Sequence, residues 1–244
     1  MYHFFVEASQ IGEDTITIIG EDVNHIKNVL RMKCGEEVEI SDGQGGEYIC
    51  KISSLKEEVV LTIVDYNKKG TELESKLYLF QGLPKNDKME LIIQKAVELG
   101  ATAIVPVNTK RTVVKLDEKK EANKLKRWQT ISESAAKQSK RGIIPEVLPV
   151  MNFKEAVEYA KNFDINIIPY EHCEDMSGTK KIVDSIKKDM KIGIFIGPEG
   201  GFAESEIDFA MENNISPVSL GKRILRTETA GLTILSILMF KLED

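Results

Sequence analysis

The chain of 244 residues has little cysteine, few aromatic residues and no long apolar run. Its three cysteines, Cys34, Cys50 and Cys173, are scattered and odd in number, which excludes a disulfide framework and favours reduced thiols in a cytoplasmic protein. No CxxC pair is present, and the neighbours His172 and Cys173 are too few to predict a metal site.

The sequence also predicts no segment that directs a protein to or across a membrane. The start, Met1–Phe5, has no basic cluster followed by a long apolar stretch, so it predicts no signal peptide. The longest apolar stretch, Ala230–Phe240, is interrupted by Thr233 and Ser236 and is shorter than the roughly 18–20 residues of a membrane-spanning helix. We therefore expect no membrane partner.

The chain has no excess of positive charge, because 33 Lys and Arg face 39 Asp and Glu for a net charge of −6. This balance excludes a uniformly basic nucleic-acid binder. The charge is unevenly distributed, however. Residues 1–70 hold seven basic and thirteen acidic side chains, whereas residues 108–141 hold eleven basic and four acidic ones. The second window could attract an anionic partner, although such a run is also typical of a solvated helix face.

The first 66 residues are typical of a small β-rich domain that forms a compact barrel. One helix is expected among the strands, with Asp22 as its N-cap, Ile26 and Leu30 on one face and Gly35 at its end. The polar segment 67–71 contains a glycine and predicts the domain boundary. Short β-branched segments bounded by turn residues predict strands at Thr15–Ile19, Glu37–Ile40, Glu47–Ile52 and Val59–Val64.

The remainder alternates between strands and helices, which predicts an α/β domain with a mostly parallel sheet. In open parallel sheets, ligands bind beyond the carboxyl ends of the strands. The predicted strands are Lys76–Phe80, Ala103–Val107, Ile165–Ile168, Lys191–Ile196 and Pro217–Leu220. The predicted helices are Asp87–Leu99, Ala122–Lys140, Gly178–Lys188, Ala203–Asn213 and Thr227–Leu242.

Three loops that follow predicted strands carry the candidate chemistry, at residues 169–171, 196–202 and 220–230. The second loop has three glycines and a proline in five residues, which suits either close approach of a ligand to the backbone or a sharp strand-to-helix turn. It contains neither GxGxxG nor Gly-Lys-Ser/Thr, so it predicts neither a dinucleotide site nor a phosphate loop. The third loop places Lys222, Arg223 and Arg226 before a helix with Thr227 as its expected N-cap. It suits an anion or an RNA backbone, or else an exposed loop before a capped helix.

The second loop has the sequence Gly-Pro-Glu-Gly-Gly-Phe at 197–202, and the third has the sequence Leu-Gly-Lys-Arg-Ile-Leu-Arg-Thr-Glu-Thr-Ala at 220–230. Together these two motifs resemble the last motifs of SPOUT-superfamily RNA methyltransferases. Four further motifs are His25-x-x-Asn28-Val29-Leu30-Arg31, Lys85-x-Asp87-Lys88-Met89-Glu90, Lys95–Gly100 and Glu133-x-Ala135-Ala136-Lys137-Gln138-Ser139-x-Arg141. With these motifs in this order, the chain most closely resembles the small-subunit ribosomal RNA uridine-N3 methyltransferase family (RsmE).

The resemblance implies a PUA-like RNA-binding β-barrel at residues 1–70 and a SPOUT domain with a carboxy-terminal trefoil knot at residues 71–244. It also implies a homodimer and a substrate uridine, methylated at N3, in the decoding region of 16S ribosomal RNA of the assembled small subunit. S-adenosylmethionine would bind bent in a pocket made by the three loops. The residues expected to hold it are Pro169, Tyr170, Glu171, Ile196, Gly197, Pro198, Glu199, Gly200, Gly201, Leu220, Gly221, Ile224, Leu225, Thr229 and Ala230.

Methylation at N3 requires loss of a weakly acidic proton, so the site needs a proton acceptor or a cation that stabilises the uracil anion. We expect Arg226 to stabilise this anion or to orient the base, and Glu199 and Glu228 to be candidate proton acceptors. Glu228 could instead interact only with the helix dipole, since it falls in the first turn of a predicted helix.

RNA contacts are expected from two regions and from the third loop. His25, Asn28 and Arg31 have the spacing of one helix face that could contact RNA. Trp128 is instead expected to pack in the protein, because it falls where an amphipathic helix would bury it. The basic candidates are Lys110, Arg111, Lys137, Lys140, Arg141, Lys222 and Arg223. Two other functions stay open: another SPOUT reaction such as 2′-O-methylation, and a non-catalytic RNA-binding or ribosome-assembly role.

Overall fold

The computed structural model describes residues 1–67, 70–173 and 176–243. They form two compact units, of which the first joins Met1–Glu72 with Ala136–Ile144 and the second joins Leu73–Ala135 with Pro145–Asp244. The domain boundary at residue 70 stays a prediction. The sequence gives no indication that residues 136–144 group with the first unit, because this segment continues a helical pattern that starts in the second.

The first unit is a five-stranded sheet in the order β1-β3-β4-β5-β2. Strand β1 pairs with β3 in parallel and the other neighbours pair antiparallel. Alternate residues of the strands, such as Ile16, Ile40 and Leu61, are fully buried and form the core of this unit. The strands are β1 (Tyr2–Phe5), β2 (Thr15–Ile18), β3 (Glu37–Ser41), β4 (Glu47–Leu55) and β5 (Val59–Asn67).

The helix of the first unit differs from its prediction at both ends. Helix α1 (Glu21–Asn24) begins after Gly20, whose φ of 74° suits glycine, so Asp22 is not the N-cap. The chain then continues through a π-helical turn at His25–Val29. Arg31 has a φ of 54° and lies outside the helix, so the prediction that it shares one helix face with His25 and Asn28 is wrong. A periodicity of 3.6 residues cannot indicate a turn of this wider kind.

The second unit has an all-parallel sheet in the order β12-β10-β11-β6-β7-β8, with β9 also paired to β7. This confirms the parallel α/β architecture, while the trefoil knot stays a prediction. The strands are β6 (Lys76–Gly82), β7 (Ala101–Asn108), β8 (Glu146–Val147), β9 (Met151–Asn152), β10 (Ile165–Pro169), β11 (Lys191–Ile196) and β12 (Ile215–Val218).

Helices cover this sheet because its strands are apolar along most of their length. Helix α7 packs against α2 and against β6 and β11, while α4 packs against β7 and α6 against β12. In the core, the rings of Phe80 and Phe195 stack with centroids 4.3 Å apart. The helices are α2 (Lys88–Glu98), α3 (Glu118–Ser139), α4 (Phe153–Tyr159), α5 (Met176–Ser185), α6 (Glu204–Glu212) and α7 (Thr227–Leu242).

The helices confirm one sequence prediction and include one helix that was not predicted. Trp128 on α3 is buried, which confirms its predicted packing role. Helix α4 has no counterpart among the predictions, although Asn152 and Glu155 form a capping box at its start. Among the described residues, no helix is long and apolar enough to cross a membrane.

Candidate functional site

A cavity of about 830 Å³ lies in the second unit at the carboxyl ends of β10, β11 and β12. Its size is within the range of sites for small ligands and cofactors. The three loops with the predicted chemistry meet here, since the carboxyl ends of parallel strands share one edge of the sheet. The predicted cofactor residues that line it are Pro169, Tyr170, Glu171, Ile196, Gly197, Pro198, Glu199, Gly200, Gly201, Leu220, Gly221, Ile224, Leu225 and Ala230.

Other residues depart from the predicted set. Thr229 is exposed and is not part of the cavity wall. Lys222 and Arg223, whose side chains are predicted as RNA contacts, line the cavity together with Arg226. The wall also contains residues that were not predicted as cofactor contacts: Lys88, Cys173, Met176, Phe202, Ser219 and Thr227.

The glycine-rich loop at 197–202 has a tightly fixed backbone. Gly201 adopts a φ of 66°, a conformation that favours glycine. Pro198 packs directly against Gly82 at the end of β6, where an added Cβ would lie 2.6 Å from the proline nitrogen. Only glycine fits at position 82 without moving the loop, so the end of β6 supports the cavity from below the loop.

Thr227 ties this loop to helix α7. Its hydroxyl donates a hydrogen bond to the carbonyl oxygen of Gly197 at 2.6 Å and accepts one from Nε2 of Gln81 at 2.8 Å. Gln81 and Thr227 are both buried, so the three groups form a shielded network. The N-cap of α7 is Arg226 rather than Thr227, which corrects the prediction: Thr227 is the first helical residue and uses its hydroxyl across the site.

Lys110 and Arg111 hold the same region from the segment after β7. Arg111 donates from Nη1 to the carbonyl oxygen of Gly200 at 3.0 Å. The backbone N–H of Lys110 donates to Glu206 at 2.8 Å, and its ammonium donates to the hydroxyl of Ser205 at 2.6 Å. Arg111 therefore contacts the loop at 197–202, which is called the cofactor loop below, and Lys110 contacts the start of α6. The prediction of an RNA contact did not include this role of either cation.

Lys88 lies between the two predicted acidic residues. Its Nζ is 3.1 Å from Oε1 of Glu199 and 3.3 Å from Oε2 of Glu228. Both contacts are ion pairs. Glu199 also accepts from the backbone N–H of Lys85 at 3.1 and 3.2 Å.

These contacts set the protonation of the cluster. Burial opposes ionisation of Glu199, but hydrogen bonds from its own N–H, from Lys85 and from Lys88 outweigh it and lower the pKa of the carboxyl. The hydrogen bond to Glu199, with further contributions from Glu228, raises the pKa of Lys88. The cluster therefore holds a carboxylate and an ammonium at neutral pH, and Glu199 is a weaker base than a free glutamate.

The cations of the third loop are exposed, in contrast to this cluster. Lys222, Arg223 and Arg226 form no ion pair within the described part of the chain, and Ile224 between them is 85% exposed. Exposed cations at the start of α7, where the helix dipole is positive, favour binding of an anion. No group of three or more metal-ligating side chains occurs among residues 1–67, 70–173 and 176–243.

Three predicted RNA contacts near the end of α3 are engaged with acidic groups of the first unit. Lys137 pairs with Asp22 at 3.2 Å and Lys140 pairs with Glu39 at 2.9 Å. Arg141 is 5% exposed and bonds to Glu72, so an RNA phosphate would have to displace Glu72 to reach its guanidinium, and its RNA contact stays a prediction. A local sequence cannot indicate these pairs, because their acidic partners lie 69 to 115 residues away.

The remaining predicted RNA contacts, His25, Asn28 and Arg31, are exposed in the first unit. The His25 ring meets Phe4 edge-on with centroids 6.4 Å apart, and the Asn28 amide donates to Asn24 at 2.6 Å. Their role in RNA binding stays a prediction.

Comparison with known proteins identifies the family. A model described as RNA methyltransferase domain matches residues 71–239, and one described as RNA methyltransferase PUA domain matches residues 18–64. The chain is 39% identical to ribosomal RNA small subunit methyltransferase E of Bacillus subtilis, over 100% of this chain and 98% of that protein. It is 36% identical to the protein of the same name from Mesomycoplasma hyopneumoniae, over 97% of this chain and 98% of that protein.

A solved structure agrees with these relatives. The crystal structure of ribosomal RNA small subunit methyltransferase E from Neisseria gonorrhoeae, bound to S-adenosyl methionine, superposes with a TM-score of 0.86. That protein is 31% identical to the chain, and the match covers 99% of this chain and 98% of the other. On this evidence the chain belongs to the ribosomal RNA small subunit methyltransferase E family of RNA methyltransferases.

Proposed function

We propose that the protein transfers a methyl group from S-adenosylmethionine to N3 of a uridine in the decoding region of 16S ribosomal RNA, within the small ribosomal subunit. Such a substrate would place the enzyme in the cytoplasm. The observation that carries the proposal is the cavity of about 830 Å³, because the three loops at 169–171, 196–202 and 220–230 line it together at the carboxyl ends of β10, β11 and β12.

The cavity suits S-adenosylmethionine in both size and chemistry. Apolar side chains such as Ile196 and Leu225 can cover an adenine ring, and exposed cations lie on the third loop. Gly201 leaves the backbone of the 197–202 loop open at its position, since no atom lies within 4 Å of an added Cβ there. When bound, the cofactor supplies a methyl group on a positively charged sulfur.

The chain's own residues then act on the acceptor base. Arg226 lines the cavity and is exposed and unpaired among the described residues, so its guanidinium is available to the negative charge that develops on the uracil ring. The start of α7 contributes the positive end of its dipole at the same place. Holding the base in line with the methyl group supplies a further part of the rate enhancement.

Glu199 and Glu228 are the candidate acceptors of the N3 proton, and they are not equivalent. The lowered pKa of Glu199 makes it a weak base, and three donors already occupy its carboxylate. Glu228 has a single ion-pair partner in the described part of the chain, Lys88. We therefore assign Glu228, or a water molecule, ahead of Glu199 as the acceptor.

RNA is proposed to contact each unit through exposed side chains. In the first unit these are His25, Asn28 and Arg31, and in the second they are Lys222 and Arg223 beside the cavity. The ion-paired Lys137 and Lys140 are less available, because an RNA phosphate would have to displace Asp22 or Glu39. Since most of the affinity for RNA comes from phosphate contacts, charge removal at Arg223 should reduce the salt dependence of binding.

A homodimer is the proposed assembly. On α7, Phe240 is 83% exposed and Ile237 is also exposed, and the neighbouring helix α2 exposes Leu91. Exposed apolar side chains on two packed helices are typical of a protein–protein interface. Light scattering should therefore report a dimer for the wild type and a monomer, or a weakened dimer, for Phe240→Glu.

The test is methyl transfer from labelled S-adenosylmethionine to small subunits from a strain that lacks the enzyme. The wild type should label the subunits, and Arg226→Ala should lower kcat by roughly 100-fold, the scale of losing one group that stabilises transition-state charge. Calorimetry should show near-unchanged cofactor affinity for this variant. Near-wild-type turnover of Arg226→Ala would refute the assigned role, and absence of cofactor binding by the wild type would favour a non-catalytic RNA-binding protein.

A further inference from the structure

We propose that Lys88 is a positioning residue of the methyl-transfer site, whose ammonium joins the cofactor loop to the first turn of α7 and thereby places Arg226. This inference rests on the function proposed above. It adds a residue from a fourth element, α2, to a site that the sequence motifs locate in three loops.

The geometry of the cluster supports this role. Lys88 is the first residue of α2 and reaches Glu199 in the cofactor loop at 3.1 Å and Glu228 on α7 at 3.3 Å. The side chains of Lys88, Glu199 and Glu228 are 28%, 28% and 17% exposed, so solvent only partly screens their interaction. One ammonium thus joins three segments that are far apart in sequence.

The two carboxylates depend on Lys88 to different degrees. The cofactor loop has other attachments, namely the hydrogen bonds of Thr227 to Gly197 and of Arg111 to Gly200. Within the described residues, the carboxylate of Glu228 has no other ion-pair partner, and its Oε2 is buried without a hydrogen bond. Loss of Lys88 should therefore affect the start of α7 more than the cofactor loop.

Arg226 is the residue that this effect reaches. It is the N-cap of α7, two residues before Glu228, so a shift of the first turn moves its guanidinium directly. A displacement of about 1 Å in a catalytic geometry can cost roughly 100-fold in rate. Cofactor affinity should change far less, because Lys88 contributes to the cofactor loop only one of several attachments.

The charged groups at this point also predict a change in protonation. Helix α2 contributes Lys88, the loop after β11 contributes Glu199, and α7 contributes Glu228, with Arg226 at the wall of the same cavity. Both carboxylate oxygens lie within 3.3 Å of one nitrogen, so removing the ammonium leaves two like charges close together. Since Lys88 is one of the donors that lower the pKa of Glu199, its loss should raise the pKa of this carboxyl.

The first experiment compares Lys88→Met with Lys88→Arg and with the control Lys95→Met. Lys95 lies on the same helix and pairs with Glu98 away from the cavity. With small subunits as substrate, Lys88→Met should lower kcat by roughly 10- to 100-fold and change the Kd for S-adenosylmethionine by less than about threefold. Lys88→Arg should recover most of the rate, and Lys95→Met should match the wild type. Equal losses in kcat and cofactor affinity, or a Lys88→Met enzyme as active as Lys95→Met, would overturn the proposal.

A second measurement does not depend on activity. Carboxyl ¹³C NMR titrations should show a raised pKa of Glu199 in Lys88→Met, and the wild-type pKa of Glu199 in Lys95→Met. Glu228→Gln combined with Lys88→Met should be no slower than the worse single variant, because both changes remove the same Lys88–Glu228 ion pair. Unaltered titrations would overturn the proposal even if the wild type methylates RNA. A wild type without methyl transfer would refute the proposed function and leave the titration to decide the position of Lys88.

Discussion

Replacing Arg141 with methionine should destabilise the first unit rather than weaken RNA binding. The Arg141 guanidinium donates to both oxygens of Glu72, at 2.8 and 2.6 Å, and the two side chains are 6% and 17% exposed. The same Oε1 of Glu72 accepts the backbone N–H groups of Gly142 and Ile143 at 2.9 and 3.3 Å. Breaking a buried ion pair by removing one partner costs about 3–5 kcal/mol, and the partial exposure of Glu72 favours the lower end of this range.

A loss of about 3 kcal/mol corresponds to roughly 100-fold faster amide exchange in the segments that open together. Hydrogen exchange with mass spectrometry should therefore show faster exchange in peptides from residues 1–67 and 136–144. The matched control is Lys140→Met, whose pair with Glu39 is more exposed and should contribute less than about 1 kcal/mol. The reasoning is refuted if Arg141→Met exchanges like Lys140→Met, and an RNA role for Arg141 gains support if it loses RNA affinity without loss of stability.

Three further predictions concern single residues within one or the other unit. Gly82→Ala should destabilise the second unit by about 1–3 kcal/mol, because its Cβ would meet the Pro198 backbone at 2.6 Å. Gly231→Ala should be tolerated, because its Cβ would lie 3.6 Å from the side chain of Gln81. Thermal melts of both variants test this difference. Thr227→Val should lower the free energy of unfolding of the second unit by about 1–3 kcal/mol, because the Gly197 carbonyl loses its hydrogen-bond donor. Calorimetry should also show weaker binding of S-adenosylmethionine. An unchanged affinity would contradict the proposed role of this hydrogen-bond network. Burial is the largest cause that lowers the pKa of His3 from its ordinary value of 6.5. The folded first unit therefore binds a proton at His3 less readily than the unfolded chain does. As a result, the first unit should lose stability as the pH falls below about 6.5. His3→Gln should remove this part of the pH dependence in amide-exchange measurements, and an identical pH profile would contradict it.

The parallel sheet and its reactive edge could be predicted from the sequence because both depend on local patterns. Strand β11 and helix α7 have the predicted bounds, and the loops that follow β10, β11 and β12 line one cavity. The carboxyl ends of parallel strands lie along one edge of the sheet, so the position of the cavity could be predicted without knowledge of any long-range contact.

The fourth element of the site could not be predicted, because its contacts are long-range. Lys88 belongs to the motif Lys85-x-Asp87-Lys88-Met89-Glu90, but nothing near it in sequence indicates Glu199 or Glu228 as its partners. The signal that points to it is geometric: two acidic residues predicted at the site share one nearby ammonium. A sequence shows such a pairing only when the partners are three or four residues apart on a helix, as Lys95 and Glu98 are.

The basic window at 108–141 shows how a local charge count misleads. Its net positive charge suggested an RNA surface, yet Lys137 and Lys140 pair with acidic residues of the first unit and Arg141 is buried. Reversing these three charges would break three ion pairs, so reduced RNA binding by that variant would not identify an RNA contact. Lys222 and Arg223, exposed beside the cavity, are the better positions for such a test.

The measurement that tests the proposed function most directly is identification of the methylated nucleoside. Small subunits from a strain that lacks the enzyme are incubated with the protein and S-adenosylmethionine, and the 16S ribosomal RNA is then mapped by mass spectrometry. We predict a single added methyl group on a decoding-region uridine, recovered as 3-methyluridine after digestion. A methyl group on a ribose 2′-oxygen, or no added methyl group on the RNA, would contradict the proposed function.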